Sequence, residues 1–148
     1  MLHITVSGID KAGKTTLIKA FEKETNHRHY VVDRDPSNYF ALSEIQNRVK
    51  NIHQTEDYIN FKNKFKHSVD LAVYVHAPKN ELTNRFAETN EPDLVGNYSF
   101  DEHMKIIKYY FDNVGYENVI ILNTYRLSLD ECVSIMINKI EEIENARK

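Results

Sequence analysis

Residues 8–16 read GIDKAGKTT, and two of the chain's four glycines, Gly8 and Gly13, fall inside this nonapeptide. Lys14 and Thr15 follow the second glycine directly, so the stretch satisfies G-x-x-x-x-G-K-[ST]. The residue types have a physical logic. Glycines let the backbone curl until successive N–H groups point inward and form an anion nest. A helix starting at Lys14 adds its positive end to the same spot. Lys14 supplies a point charge for β- and γ-phosphates, and the Thr15 hydroxyl can ligate Mg²⁺. The loop therefore reads as a polyphosphate cradle.

Its surroundings agree. Leu2–Val6 alternates, is β-branched and ends at Ser7-Gly8, which predicts a strand before the loop. Lys14 to about Thr25 carries Leu17, Ile18 and Phe21 at helical spacing, which predicts a helix after it. Outward from there, His29–Val32 reads as a second strand ending at Asp33, and 35–38 as a turn. The stretch 39–65 has helical spacing with a break near 51–54. LAVYV at 71–75 is a near-continuous apolar run, as expected of a parallel strand covered on both faces. Pro78 opens a helix through Leu82, Arg85 and Phe86. ETNEPDLVGN at 88–97 reads as a polar, mobile loop. Ser99 with Glu102, and Ser128 with Glu131, are capping boxes that open two helices. The first presents Phe100, Met104, Ile107, Phe111 and Val114 on one face and stops near Gly115. The second presents Leu129, Cys132, Met136, Ile140 and Ile143. Between them VIIL at 119–122 is a strand.

Strands alternating with helices predict an α/β fold, a three-layer sandwich around a mostly parallel sheet of about four or five strands. Ligands of such folds bind beyond the carboxyl ends of the strands, where the 8–16 loop lies. The 148 residues fit one domain, 1–148, and the net charge of −3 carries no basic field that would advertise nucleic-acid binding. No run approaches the roughly 18 apolar residues of a membrane span. With a single cysteine, Cys132, there is no internal disulfide framework, and a reduced, cytoplasmic setting is expected. The seven histidines show no metal-ligand spacing. Lys62, Lys64, Lys66 and His67 read as a solvated helix face. Tyr109, Tyr110 and Phe111 read as helix packing.

Asp33 at the end of an apolar strand suits a Mg²⁺ shell beside the loop, and Arg34 next to it can clamp a phosphate bidentately. No N-K-x-D follows a later strand, which argues against a GTPase of the usual kind. At this point the chain resembles the thymidylate kinases, whose loop reads G-x-D-x-x-G-K-[ST]-T, with the aspartate at Asp10 as its distinguishing feature. VVDRDPSNYFA at 31–41 is similar to that family's D-R motif region, and VDLAVYVHAPKNELTNRF at 69–86 to its P-D-L strand and following helix. NVIILNTYRLSLDECVSIMINKI at 118–140 follows its last strand and helix in pattern. The likeness covers most of the chain, and the loop is its most specific part.

The resemblance implies a phosphate-loop NTPase fold and a nucleotide kinase that moves the γ-phosphoryl of ATP, with Mg²⁺, to a nucleoside monophosphate such as dTMP. It implies that Gly8, Asp10, Lys11, Ala12, Gly13, Lys14, Thr15 and Thr16 hold the donor phosphates, and that Thr15 and Asp33 serve the metal. Lys11 would reach the transferring group, Arg34 would grip the acceptor phosphate, and Arg85 would close from a lid near 85–98. Asp10 would contact the acceptor sugar or the metal shell. Tyr125 and Arg126 follow the last strand, where relatives often hold adenine. Relatives commonly dimerise through the helices after the acceptor region, which implies a homodimer.

Three departures stand beside this. The family runs to about 200 residues, a size ordinary for one α/β domain. The elements it places between the first helix and the D-R strand, which carry acceptor-base contacts, are missing here. The lid region holds Arg85 and no second arginine. Two rival readings follow: a nucleotide-binding protein without turnover, derived from such a kinase, and a deoxynucleoside or polynucleotide kinase.

Overall fold

The computed structural model describes residues 1–8, 13–33, 40, 56–76, 94–95 and 98–148. In chain order these form β1 (His3–Ser7), α1 (Lys14–Glu24), β2 (Tyr30–Asp33), α2 (Glu56–Ser68), β3 (Leu71–His76), β4 (Leu94–Val95), β5 (Tyr98–Ser99), α3 (Phe100–Val114), β6 (Val119–Asn123) and α4 (Leu129–Ala146). The central sheet has four strands in the order β2-β1-β3-β6, and every pair is parallel.

Handedness places the helices. The chain steps one way from β1 to β2 and the other way for β3 and β6, so right-handed crossovers put α1 on one face and α2 and α3 on the opposite one. The packing agrees: α1 lies against α4, and α2 against α3. β3 is buried along Leu71–Val75, as its unbroken apolar run requires. On the α2/α3 side an aromatic cluster fills the layer. Tyr110 is fully buried, with ring centroids 5.8 Å from Tyr58 and 6.1 Å from Phe40. Tyr74 of β3 packs on Phe111 at 5.4 Å, and its hydroxyl donates to the Met104 carbonyl. Tyr109 by contrast stays half exposed.

The link from α1 to β2 is short, and its chemistry explains how. Asn26 and His27 take left-handed backbone (φ 53° and 56°), and the His27 N–H bonds the Glu22 carbonyl at 2.9 Å, closing the helix end. Tyr30 then pairs beside His3 and β2 lies directly against β1. Among the described residues no strand lies outside β2.

Two expectations are corrected. Leu129, placed on the buried stripe of the last helix, is 41% exposed, and Val133 takes the core position instead. Leu129 is the first helical residue, and Ser128 and Glu131 hold the helix start at the surface with their capping box (3.1 Å each way). Part of the predicted loop is also ordered: Leu94 pairs with Ser99 and Val95 with Tyr98 in a small antiparallel ladder. The helix expected after Pro78, the break near 51–54, and the side chains of the Ser99–Glu102 cap lie outside what is described. No described helix is long and apolar enough to cross a membrane.

The amino edge of the sheet carries a titratable lock. His29 is buried, and its Nδ1 accepts a hydrogen bond from the Leu2 N–H at 3.1 Å. Nε2 lies 4.0 Å from Glu144 of α4. Burial, then the neighbouring Arg28 charge, hold its pKa below the ordinary 6.5, against a weaker opposing pull from Glu144. The unfolded chain therefore takes up a proton that the folded chain resists. The contribution of His29 is fully present above its ordinary value of 6.5 and is expected to be lost as pH falls from there towards the folded value. Melting temperatures of wild type and His29→Asn between pH 7.5 and 5 test this. The variant, which keeps an acceptor but no titrating ring, should show a shallower decline, and matching slopes would remove His29 as the cause.

Candidate functional site

The site lies at the carboxyl edge of the sheet, where β1 leads to β2 on one side and abuts β3 on the other. In open parallel sheets that reversal leaves a crevice outside the strand ends. Gly8 stands at its mouth. Its φ is +145°, and a Cβ there would lie 2.6 Å from the Val75 carbonyl oxygen of β3. Glycine is required twice over, by conformation and by space.

Gly13 closes the other end of the loop. It is the N-cap of α1 with φ 94°, and it has no side chain to cap the first turn. The amino end of α1 therefore faces the crevice through a bare glycine, with its dipole unmasked. Gly13 also adjoins Thr124, 3.7 Å from where a Cβ would stand, so the loop meets the turn after β6.

Lys14 is the first helical residue, yet it is only 5% exposed. Its ammonium runs back to donate a hydrogen bond to the Gly8 carbonyl oxygen. A buried cation needs such a partner, since desolvation without one is costly. The arrangement holds a positive charge over the start of the loop, beside a helix end of the same sign. Thr15 and Thr16 are exposed on the first turn.

Asp33 ends β2 and is exposed, and it stands level with Val6 of β1, so its carboxylate joins the same edge. A threonine hydroxyl and a carboxylate are hard oxygen donors, which suit Mg²⁺. No cluster of three or more His, Cys, Asp or Glu able to hold a metal occurs among the described residues. Asp10, Lys11, Ala12, Arg34 and Arg85 lie outside the described residues. Of the expected site residues, Lys14 bonds Gly8, Gly13, Thr15 and Thr16 stand at the start of α1, and Asp33 ends the neighbouring strand β2.

Beside the loop opens a cleft of about 270 Å³ lined by Gly13, Thr16, Leu17, Thr124, Leu127, Leu129 and Cys132. Burial, then the Glu131 charge, raise the Cys132 thiol above its ordinary range, so it lines the wall as an apolar group. Sequence reasoning placed Tyr125 and Arg126 here and missed this lining. The missed signal was Asn123-Thr124 at a strand end, since asparagine there caps turns with its side chain. The Asn123 Oδ1 accepts from the N–H groups of Tyr125 (3.0 Å) and Arg126 (3.2 Å).

No protein-family model matches the chain, and no curated protein sequence does either. Among solved structures the fold resembles that of the YorR protein from Bacillus subtilis, in complex with phosphorylated GDP. The TM-score is 0.69 at 16% identity, over 94% of this chain and 95% of that one. The two chains are therefore nearly equal in length, and at that identity the likeness is one of fold.

Proposed function

We propose that this chain has the phosphate-loop NTPase fold and is a Mg²⁺-dependent nucleotide kinase, moving the γ-phosphoryl of ATP to a nucleoside monophosphate. One observation carries the reading: the buried Lys14 ammonium folded onto Gly8, at the bare amino end of α1 and the carboxyl edge of a parallel sheet. Phosphoryl transfer asks a protein chiefly for positioning and charge neutralisation, and this edge supplies both.

In this reading Gly8, Gly13 and the first-turn N–H groups of α1 hold the donor phosphates, with Lys14 between them. Thr15, and Asp33 through water, hold Mg²⁺, which neutralises charge on the phosphate oxygens. Lys11 reaches the transferring group and Arg34 grips the acceptor phosphate. Asp10 contacts the acceptor sugar or the metal shell. Arg85 closes over the nucleotide and excludes water. The cleft beside Thr124 takes the donor base.

The likeness to thymidylate kinases makes dTMP the leading acceptor, and the YorR complex with phosphorylated GDP adds guanine nucleotides to the panel. The rival, nucleotide binding without turnover, is favoured by one feature. β2 is the outermost described strand and follows α1 by a tight turn, leaving no room there for an acceptor-base element.

A transfer assay with ATP·Mg²⁺ against ribo- and deoxyribonucleoside monophosphates separates them. The expected result is turnover of one or a few monophosphates that EDTA abolishes and added Mg²⁺ restores. ATP binding with no transfer to any acceptor would establish the binding protein instead.

A further inference from the structure

The central sheet has two outer strands, β2 and β6, and they are finished differently. β2 has four residues and closes on the charged Asp33. β6 has five, VIILN at 119–123, with no charge, proline or glycine among them. Edge strands are commonly blunted by such residues, because their unpaired N–H and C=O groups recruit another strand. The sequence of β6 carries no such device.

The hydrogen-bond phase shows which groups β6 leaves open. The Ala72 N–H donates to the Asn118 carbonyl at 2.9 Å, and the Thr124 N–H to the His76 carbonyl at 3.2 Å. Ala72 is level with Val119 and His76 with Asn123, so the parallel ladder uses the main chain of Asn118, Ile120, Leu122 and Thr124. Val119 and Ile121 therefore turn their N–H and C=O groups outward, and Asn123 its N–H. Among the described residues no strand lies beyond them. The side chains tell the same story. Ile121 is level with Tyr74 and shares its face of the sheet. Phe111 of α3 packs on Tyr74, yet Val119 and Ile121 stay 41% and 56% exposed.

We propose that β6 is a dimerisation edge whose occupant is β6 of a second copy, running antiparallel about a two-fold axis at Ile121. The phase is self-complementary about that axis. The two Ile121 residues exchange both main-chain bonds, and each Asn123 N–H meets a Val119 carbonyl, giving about four bonds in all. The Ile121 side chains then face each other and continue the apolar strip across the axis. Charge selects the direction. Exposed Glu117 precedes the strand and exposed Arg126 follows it, so antiparallel pairing sets the acidic end of one copy beside the basic end of the other. Parallel pairing would set like beside like. This surface differs from the helices that the likeness to thymidylate kinases implies, and it is independent of the nucleotide reading.

Sedimentation velocity over a concentration series tests it. Wild type should pass from monomer to dimer with a dissociation constant on the order of 10 µM, as fits a small interface. Ile121→Lys puts two like charges face to face across the axis and should weaken the dimer by about 30-fold or more. Both apolar sites are exposed, so the melting temperature should hold. If Ile121→Lys does not fold, Val119→Lys decides, with the same loss expected. Glu117→Arg should weaken the dimer by about threefold to tenfold, and adding Arg126→Glu should restore it. A merely structural effect of either charge would not give that rescue.

A monomer at every concentration overturns the proposal, and so does a dimer that Ile121→Lys leaves intact. Loss of the dimer in Phe61→Lys alone would place the contact on the exposed face of α2 instead. Failure of the double charge swap to recover overturns the antiparallel two-fold. A mass that rises beyond the dimer overturns its closure.

Discussion

Lys14→Met is expected to lower ATP affinity and any phosphoryl transfer by about 100-fold or more while leaving the fold intact. The two halves of that expectation come from one geometry. Lys14 is buried and bonded to the Gly8 carbonyl, so its charge is held in a place that water reaches poorly. There a charge-assisted bond to phosphate is worth far more than at the surface. For stability the sign differs. Removing the buried ammonium removes its desolvation cost, which offsets the loss of its bond to the buried Gly8 carbonyl. Methionine follows the lysine stem and covers the same loop. Titration calorimetry with ATP·Mg²⁺ and a thermal melt on the same sample check both halves. A variant that melts like wild type and binds like wild type would exclude Lys14 from the site. One that fails to fold would mean that the lysine is structural.

Gly8→Ala is expected to destabilise the protein by about 3 kcal/mol, from a strained backbone and a forced shift together. For a chain of this size that corresponds to a fall in melting temperature of roughly 6–12 °C. The cost has two sources. A φ of +145° is a conformation that L-residues rarely adopt, and the new Cβ would sit 2.6 Å from a backbone oxygen of the neighbouring strand, which cannot rotate away. Gly13→Ala separates them. Its φ is also positive, but its Cβ would find Thr124 at an ordinary 3.7 Å, so conformation alone is penalised. The expected cost is about 1–2 kcal/mol. Differential scanning calorimetry ranks the two, and equal melting temperatures would remove the Val75 contact from the explanation.

Much of the fold was legible because the strands are short, apolar and evenly separated by helices. LAVYV could only be a covered strand, and it became the buried β3. The two ends of the loop were legible for a different reason: glycine between a strand and a helix signals left-handed or otherwise restricted backbone, and Gly8 and Gly13 take φ of +145° and +94°. What escaped was set by tertiary contact. Leu129 belongs to the apolar period of its helix, but the capping box holds that first turn at the surface, and periodicity carries no information about where a helix end sits. The pairing of Leu94–Val95 with Tyr98–Ser99 was hidden by a polar, proline-containing context. The cleft wall escaped because its residues come from α1, the β6–α4 turn and α4, and no local pattern joins Thr16 to Cys132. Asn123 was readable as a turn former. That its side chain accepts from the Tyr125 and Arg126 N–H groups follows only once its partners are placed.

Titration of ¹⁵N-labelled protein with ATP·Mg²⁺, followed through the backbone amides, bears most directly on the central claim that the β1–α1 loop holds a nucleotide polyphosphate. The account predicts saturable shifts concentrated at Gly8, at Gly13 to Thr16 and at the Thr124–Leu127 turn, with the amino edge around Leu2 and His29 unmoved. An absence of saturable shifts up to about 1 mM ATP, the top of the ordinary KM range, would contradict it. So would a saturable response centred away from the carboxyl edge of the sheet.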